Sequence, residues 1–150
     1  MTKKIFNSEY EIRLRILLLL KIATVPLSVD KITALDFITV YGEDFDTGGH
    51  NIHGNSPYRF AEIANRRKMV NESVRYNVMD GMLDVNITDG YLYSLSERGQ
   101  EYVDSFGCSY VTGYFENARK AIMKYGELSE ASLMKIIQEH CYELLEGRAE

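Results

Sequence analysis

The chain has 150 residues, 45% hydrophobic and 26% charged, which is the composition of an average globular protein and enough length to bury one core without disulfide or metal staples. Its formal net charge of −5 excludes the usual profile of a free-standing nucleic-acid binder, which needs an excess of lysine and arginine to neutralise phosphates. The longest apolar run, Ile16 to Leu20, lies between Arg15 and Lys21, far short of the roughly 20 residues that span a bilayer, and Met1 to Phe6 lacks a signal-peptide pattern, so a cytoplasmic protein is expected.

Ser8 and Glu11 form a capping box, and Ile12, Ile16, Leu19 or Leu20 and Ala23 follow at helical spacing, predicting a helix from about Glu9 to Ala23 that Pro26 ends. A second helix starts near Ser28, carries Ile32, Leu35, Ile38 or Val40 and Tyr41, and stops at Gly42. Asp44 and Asp46 around Phe45, the pair Gly48 and Gly49, and Gly54 with Asn55 then mark Gly42 to Ser56 as a long loop, either functional or mobile. Ser56 and Pro57 cap a third helix, Tyr58 to about Lys68, with Phe60, Ile63 and Ala64 facing inward and Arg59, Arg66 and Arg67 outward. A fourth helix begins near Asn71 on Val74, Val78 and Met82.

The period then changes from helical to alternating. Leu83, Val85 and Ile87, then Tyr91, Tyr93 and Leu95, around a two-residue hinge at Asp89 and Gly90, predict a β-hairpin, and Ser96 caps a further helix carrying Tyr102, Val103 and Phe106. Helices followed by a hairpin and a helix is the order of a winged helix-turn-helix domain, with the hairpin as its wing. Val111, Tyr114 or Phe115, Ala118, Ile122 and Tyr125 share the face of one last-third helix; after Gly126 and the cap Ser129, Leu133, Ile137, His140 or Cys141 and Leu144 share that of another. The fold expected is therefore mainly α with a small β-hairpin: a winged-helix-like domain over residues 1–107 and a C-terminal helical hairpin, 108–150, packed on it as one structural unit.

Charge is uneven along the chain. Arg59, Arg66, Arg67 and Lys68 stand against Glu62 alone, whereas the stretch from Glu127 to Glu150 has six glutamates against Lys135 and Arg148. Such asymmetry suits docking between protein surfaces, and the outward guanidinium groups of Arg59, Arg66 and Arg67 beside Tyr58 are the candidate contact. Where a winged helix reads DNA, the helix before the wing carries the phosphate contacts; here it offers Arg75 against Glu72 and Asp80, and the wing adds Asp84 and Asp89.

Catalysis has no comparable candidate. His50 and His53 lie near Asp44 and Asp46, but at loose spacing and with no third ligand fixed by secondary structure, so no metal site is expected. His140 falls on an apolar helical face and reads as a core or interface histidine. Cys108 and Cys141 have no close spacing and read as buried hydrophobes. There is no phosphate loop after a strand, no nucleophile motif and no carboxylate pair on a recognisable scaffold. No cofactor and no small-molecule substrate are implied, and the chain is read as a non-enzyme.

From Phe6 to Phe106 the sequence resembles the middle components of bacterial ABC-three-component systems, which include the small subunit of Lamassu-type defence complexes. The resemblance is carried by Phe6, Asn7, Ser8 with Glu11, Arg13 and the leucine run; by Leu35, Asp36, Phe37 and Val40; by His53, Gly54, Pro57, Tyr58 and Arg59; by Glu62 to Arg67; and by Gly90 to Leu95. The loop reads Ile52, His53, Gly54 where the family usually has Leu-His-Pro. The resemblance implies a non-catalytic adaptor joining two subunits of the same operon, a rod-shaped ATPase similar to structural-maintenance-of-chromosomes (SMC) proteins and an effector such as a nuclease. DNA would be met only indirectly, through the complex. The reading set against it is a winged-helix transcription regulator working as a homodimer; a metal-dependent enzyme using His50 and His53 stands third.

Overall fold

The computed structural model describes residues 9–52, 59–106 and 109–149. Among them are α1 (Glu9–Ala23), α2 (Val29–Val40), a short 3-10 turn (Arg59–Glu62), α3 (Ile63–Met79), β1 (Leu83–Ile87), β2 (Tyr91–Leu95), α4 (Glu97–Asp104), α5 (Ser109–Tyr125) and α6 (Glu130–Ala149). The fold is mainly helical with one small antiparallel hairpin, as the periodicity implies.

Helices α1 and α2 form the centre. A surface helix buries one stripe, but from Ile12 to Leu20 only Arg13 is more than marginally exposed, because α1 is packed by α2, α3, α4 and α5. It ends at Thr24, which takes the left-handed conformation at φ 60°, just before Pro26. Ser28 caps α2, accepting the Lys31 N–H at 3.2 Å, and every residue from Ile32 to Val40 is buried. The Thr33 and Thr39 hydroxyls are satisfied inside that core by donating to the Val29 and Leu35 carbonyls at 2.8 and 2.7 Å.

In α3 the structure departs from the expected pair of helices. A single helix runs through Lys68, Met69, Val70 and Asn71, where no glycine or proline interrupts it, and it begins at Ile63 rather than Tyr58. Its inward stripe is Arg66, Val70, Ser73, Val74 and Asn77, so Ala64, expected inside, is exposed. The Ser8 half of the capping box, the Ser56 and Pro57 cap, and Cys108 all lie outside the described residues.

The hairpin keeps the expected strands but turns through Thr88, Asp89 and Gly90, with Ile87 paired to Tyr91. A two-residue loop would set Ile87 against Leu92 and split the apolar face. The observed register instead stacks Leu83 with Leu95, Val85 with Tyr93 and Ile87 with Tyr91 on one side. Gly90 closes the turn at φ 101°, a conformation open to glycine. Leu27, between α1 and α2, pairs with the outer edge of β2 through two bonds with Tyr93, at 2.9 and 2.8 Å. Ser96 caps α4 and also bonds the Gly81 carbonyl at 2.6 Å.

Helix α5 packs on α1 and α2, and α6 on α2, placing Tyr114, Ala118, Ala121, Leu133 and Ile137 in the same core as the leucines of α1. The chain after α2 is not loose up to Ile52. Phe45 is fully buried, its carbonyl accepts from Tyr125 Oη at 2.8 Å and from Lys124 Nζ at 3.2 Å, and Asn117 donates to the carbonyls of His50 and Thr39 at 2.7 and 3.2 Å. Those bonds replace the ladder that an irregular backbone lacks, so this part of the expected loop is ordered structure.

Candidate protein interface

The strongest electrostatic feature lies inside the molecule. Asp36 of α2 accepts from Arg15 of α1 at both oxygens, Nε to Oδ1 at 3.1 Å and Nη2 to Oδ2 at 2.9 Å. It also accepts from Arg66 Nη1 of α3 at 2.9 Å and from Tyr114 Oη of α5 at 2.6 Å. Burial alone would raise the pKa of this carboxyl, but the charges of Arg15 and Arg66 and the hydrogen bonds from Arg15 and Tyr114 outweigh it and hold the group far below the usual carboxylate range. Glu11 and Glu62 approach the two guanidinium groups from the rim, at 3.4 and 3.6 Å. The cluster ties four helices together around one anion. Asp36 is thereby committed as an acceptor on every side, which suits a structural tie and not proton transfer.

Arg66 is therefore placed otherwise than its sequence position suggests. Instead of sharing a solvent face with Arg59 and Arg67 it is 3% exposed, lies 5.4 Å over the Phe37 ring, and has Nε and Nη2 without a hydrogen-bond acceptor among the described residues. The reason is the phase of α3: a helix continuous to Met79 turns position 66 into line with Val70, Val74 and Asn77. Arg67, one position on, is exposed as expected and pairs with the half-exposed Asp30. Tyr58 lies outside the described residues, and of Arg59 only its place at the start of the 3-10 turn is described.

Arg67 and Asp30 border a groove of about 700 Å³ beside the β1–β2 hairpin, which Val25, Tyr91, Tyr93 and Glu130 also line. On α3 beyond it, Glu72, Arg75, Tyr76 and Met79 surround a second depression of about 400 Å³, and Tyr76 and Met79 are 44% and 79% exposed. Sequence reasoning passed over this pair because Val74, Val78 and Met82 carry the helical signal and nothing local tells an exposed methionine from a buried one. A tyrosine and a methionine standing beside one acid and one base is a composition typical of protein contact surfaces.

His50 is exposed, and its backbone N–H and C=O are both engaged by Asn117. His53 lies outside the described residues, among which no three metal-ligating side chains converge. The His140 ring meets the edge of Phe45 at 4.6 Å, so it packs against the core, and Cys141 beside it is a half-buried free thiol. No helix among the described residues is long and apolar enough to cross a membrane.

A family model described as "ABC-three component (ABC-3C) system Middle Component 2" matches residues 5–146. No curated protein and no solved structure matches the chain.

Proposed function

The chain belongs to the ABC-three-component system middle component 2 family, and we propose that within such a system it is a non-catalytic adaptor that joins an SMC-like ABC ATPase to an effector subunit. The family match over residues 5–146 carries this reading, since a middle component has its purpose among other components. The surface supports it. The C-terminal half of the helix before the wing offers Glu72, Arg75, Tyr76 and Met79 to solvent, a set suited to packing against protein and poor in the cations that grip phosphate, while Arg67 and Lys68 are exposed earlier on the same helix. We read the body as a winged helix, on the order α1, the Leu27 bridge, α2, α3, β1, β2, and the assembly as a Lamassu-type defence complex.

The contact surface proposed from the sequence is retained at Tyr58, Arg59 and Arg67. Arg66 belongs to it only as internal support, through Asp36. Co-expression with the neighbouring genes of its operon, followed by affinity capture and size exclusion, tests the adaptor reading. Both neighbours are expected to co-elute with the chain in fixed ratio. Elution of the chain alone, together with nanomolar sequence-dependent binding to duplex DNA, would replace the adaptor with a regulator.

A further inference from the structure

We propose that the outer edge of β1 is a strand-accepting site, and that its occupant is an extended segment of a partner component in which apolar and basic side chains alternate. The argument begins with hydrogen-bond direction. Tyr93 spends both its N–H and its C=O on Leu27, and Ser96 N–H bonds the Met82 carbonyl at 3.0 Å. In an antiparallel pair, bonded and non-bonded residues alternate. Asp84 with Ser94 and Asn86 with Leu92 are then the bonded pairs, and the N–H and C=O groups of Val85 and Ile87 point away from β2.

Among the described residues no strand or bridge occupies that side of β1. Four backbone groups therefore stand as an open edge, the arrangement to which an added strand binds. The side chains specify what the strand carries. On one face Val85 and Ile87 are 40% and 70% exposed and continue the apolar line that begins at buried Leu83. On the other face stands exposed Asp84, and between Met82 and Ser96 the charged residues are Asp84 and Asp89, with no lysine or arginine. A strand laid on this edge places every second side chain beside Val85 and Ile87 and the intervening ones beside Asp84 and Asn86. Lysine or arginine there gains a partner, whereas a second copy of this acidic wing brings none. The choice of a partner component as donor rests on the adaptor reading; the edge itself does not.

The test has two arms. In the first, the isolated chain is titrated with a short capped peptide alternating valine and lysine, and its amide resonances are followed. Saturable shifts at Val85 and Ile87 are expected, and a peptide with glutamate for lysine is expected not to bind. Val85→Pro removes an outward donor without touching the ladder to β2 and should weaken binding roughly tenfold, the upper end of one hydrogen bond's net contribution. Val85→Ala, which keeps the donor, separates the bond from the side chain, and Asp84→Lys with Asp89→Lys should abolish binding in a chain whose edge is intact. Absence of saturable shifts at Val85 and Ile87, or shifts that depend on chain concentration without peptide, overturns the proposal, the latter in favour of a second copy. In the second arm, hydrogen exchange is measured in the complex captured with the neighbouring components. Slowed exchange at Val85 and Ile87 is expected. If the components co-purify and these amides exchange as in the free chain, the strand site fails and the adaptor reading stands; if nothing co-purifies, the adaptor reading and the assignment of a partner strand fail together.

Discussion

Arg15 and Asp36 stand on different helices, and the guanidinium of one meets the carboxylate of the other in two parallel bonds, at 3.1 and 2.9 Å, in the middle of the core. Two cations in the core are tolerated chiefly because this one anion faces both, Arg66 being bound to it from a third helix, with Glu11 and Glu62 at the rim. Removing the anion alone is costly: Asp36→Asn leaves two buried guanidinium groups with only the rim carboxylates of Glu11 and Glu62 at 3.4 and 3.6 Å, and is expected to destabilise the fold by about 3–5 kcal/mol, the usual cost of breaking a buried pair from one side. Chemical denaturation at neutral pH checks it. Replacing Arg15, Asp36 and Arg66 together by Met, Leu and Met should cost far less.

The same carboxylate sets an acid sensitivity. Its pKa in the folded chain is depressed, so its contribution is fully present above the ordinary value of 3.8 and is lost as the pH falls below that value toward the folded one. Stability measured against pH should therefore drop on acidification below about 4 in the native chain. In Asp36→Asn this component of the slope should be missing, and the two curves should converge at low pH. Parallel curves would show that Asp36 does not titrate with unfolding.

Neighbouring arginines are expected to behave oppositely. Arg66→Glu sets a second carboxylate against Asp36 in the core and should prevent folding, while Arg66→Met, which keeps the packing on Phe37, should cost about 1–3 kcal/mol through the bond lost to Asp36. Arg67→Ala should change stability by no more than about 0.5 kcal/mol, because its pair with Asp30 is exposed. Thermal melts of these three variants distinguish them directly.

The difference between Arg66 and Arg67 also marks where the sequence stops being legible. The bounds of α1 and of both strands can be read because capping, Pro26 and a change of period are local signals. The phase of α3 depends on whether one helix or two occupies the stretch around Val70, and only burial of Val70 and Val74 against α1 and α2 decides that. Asp36 did leave a trace: a carboxylate between Leu35 and Phe37, the one charged residue from Ile32 to Val40, calls for a buried partner that a cation meets best. Arg15 inside the leucine run is the matching half. The Leu27 bridge left none, being one residue between Pro26 and a cap, and the clamp of α5 on Phe45 joins segments too distant for any periodicity to connect.

Gly99 in α4 is held by close approach. A Cβ there would lie 2.2 Å from the Met82 carbonyl oxygen, which is backbone and already accepts from Ser96 N–H. Gly99→Ala must therefore shift α4 away from the base of the hairpin, and a loss of about 1–3 kcal/mol is expected from such overpacking despite alanine's better helix propensity. A melt unchanged from the native chain would mean that α4 moves freely at this point.

The exposed face of α3 yields the prediction closest to function. Tyr76 and Met79 are one turn apart on the exposed face, away from the core side of Val70, Val74 and Asn77, and Tyr76 has the Arg13 guanidinium of α1 over its ring at 5.7 Å. Met79→Ala should leave the melting transition of the isolated chain nearly unchanged, within about 0.5 kcal/mol, whereas Tyr76→Ala also gives up the cation–π contact with Arg13 and should cost about 0.5–1 kcal/mol. If this face seats a partner, a tyrosine fully desolvated there acts as an anchor, and Tyr76→Ala with Met79→Ala should weaken assembly by about 2 kcal/mol or more, on the order of thirtyfold in affinity. Arg75→Glu should act mainly on the association rate and its salt dependence, as a charge at the rim does. Capture of the neighbouring components by the native and doubly truncated chains, compared at equal concentration, decides the matter: undiminished recovery by the truncated chain would place the partner elsewhere, with the Arg67 groove and the edge of β1 as the surfaces left to test.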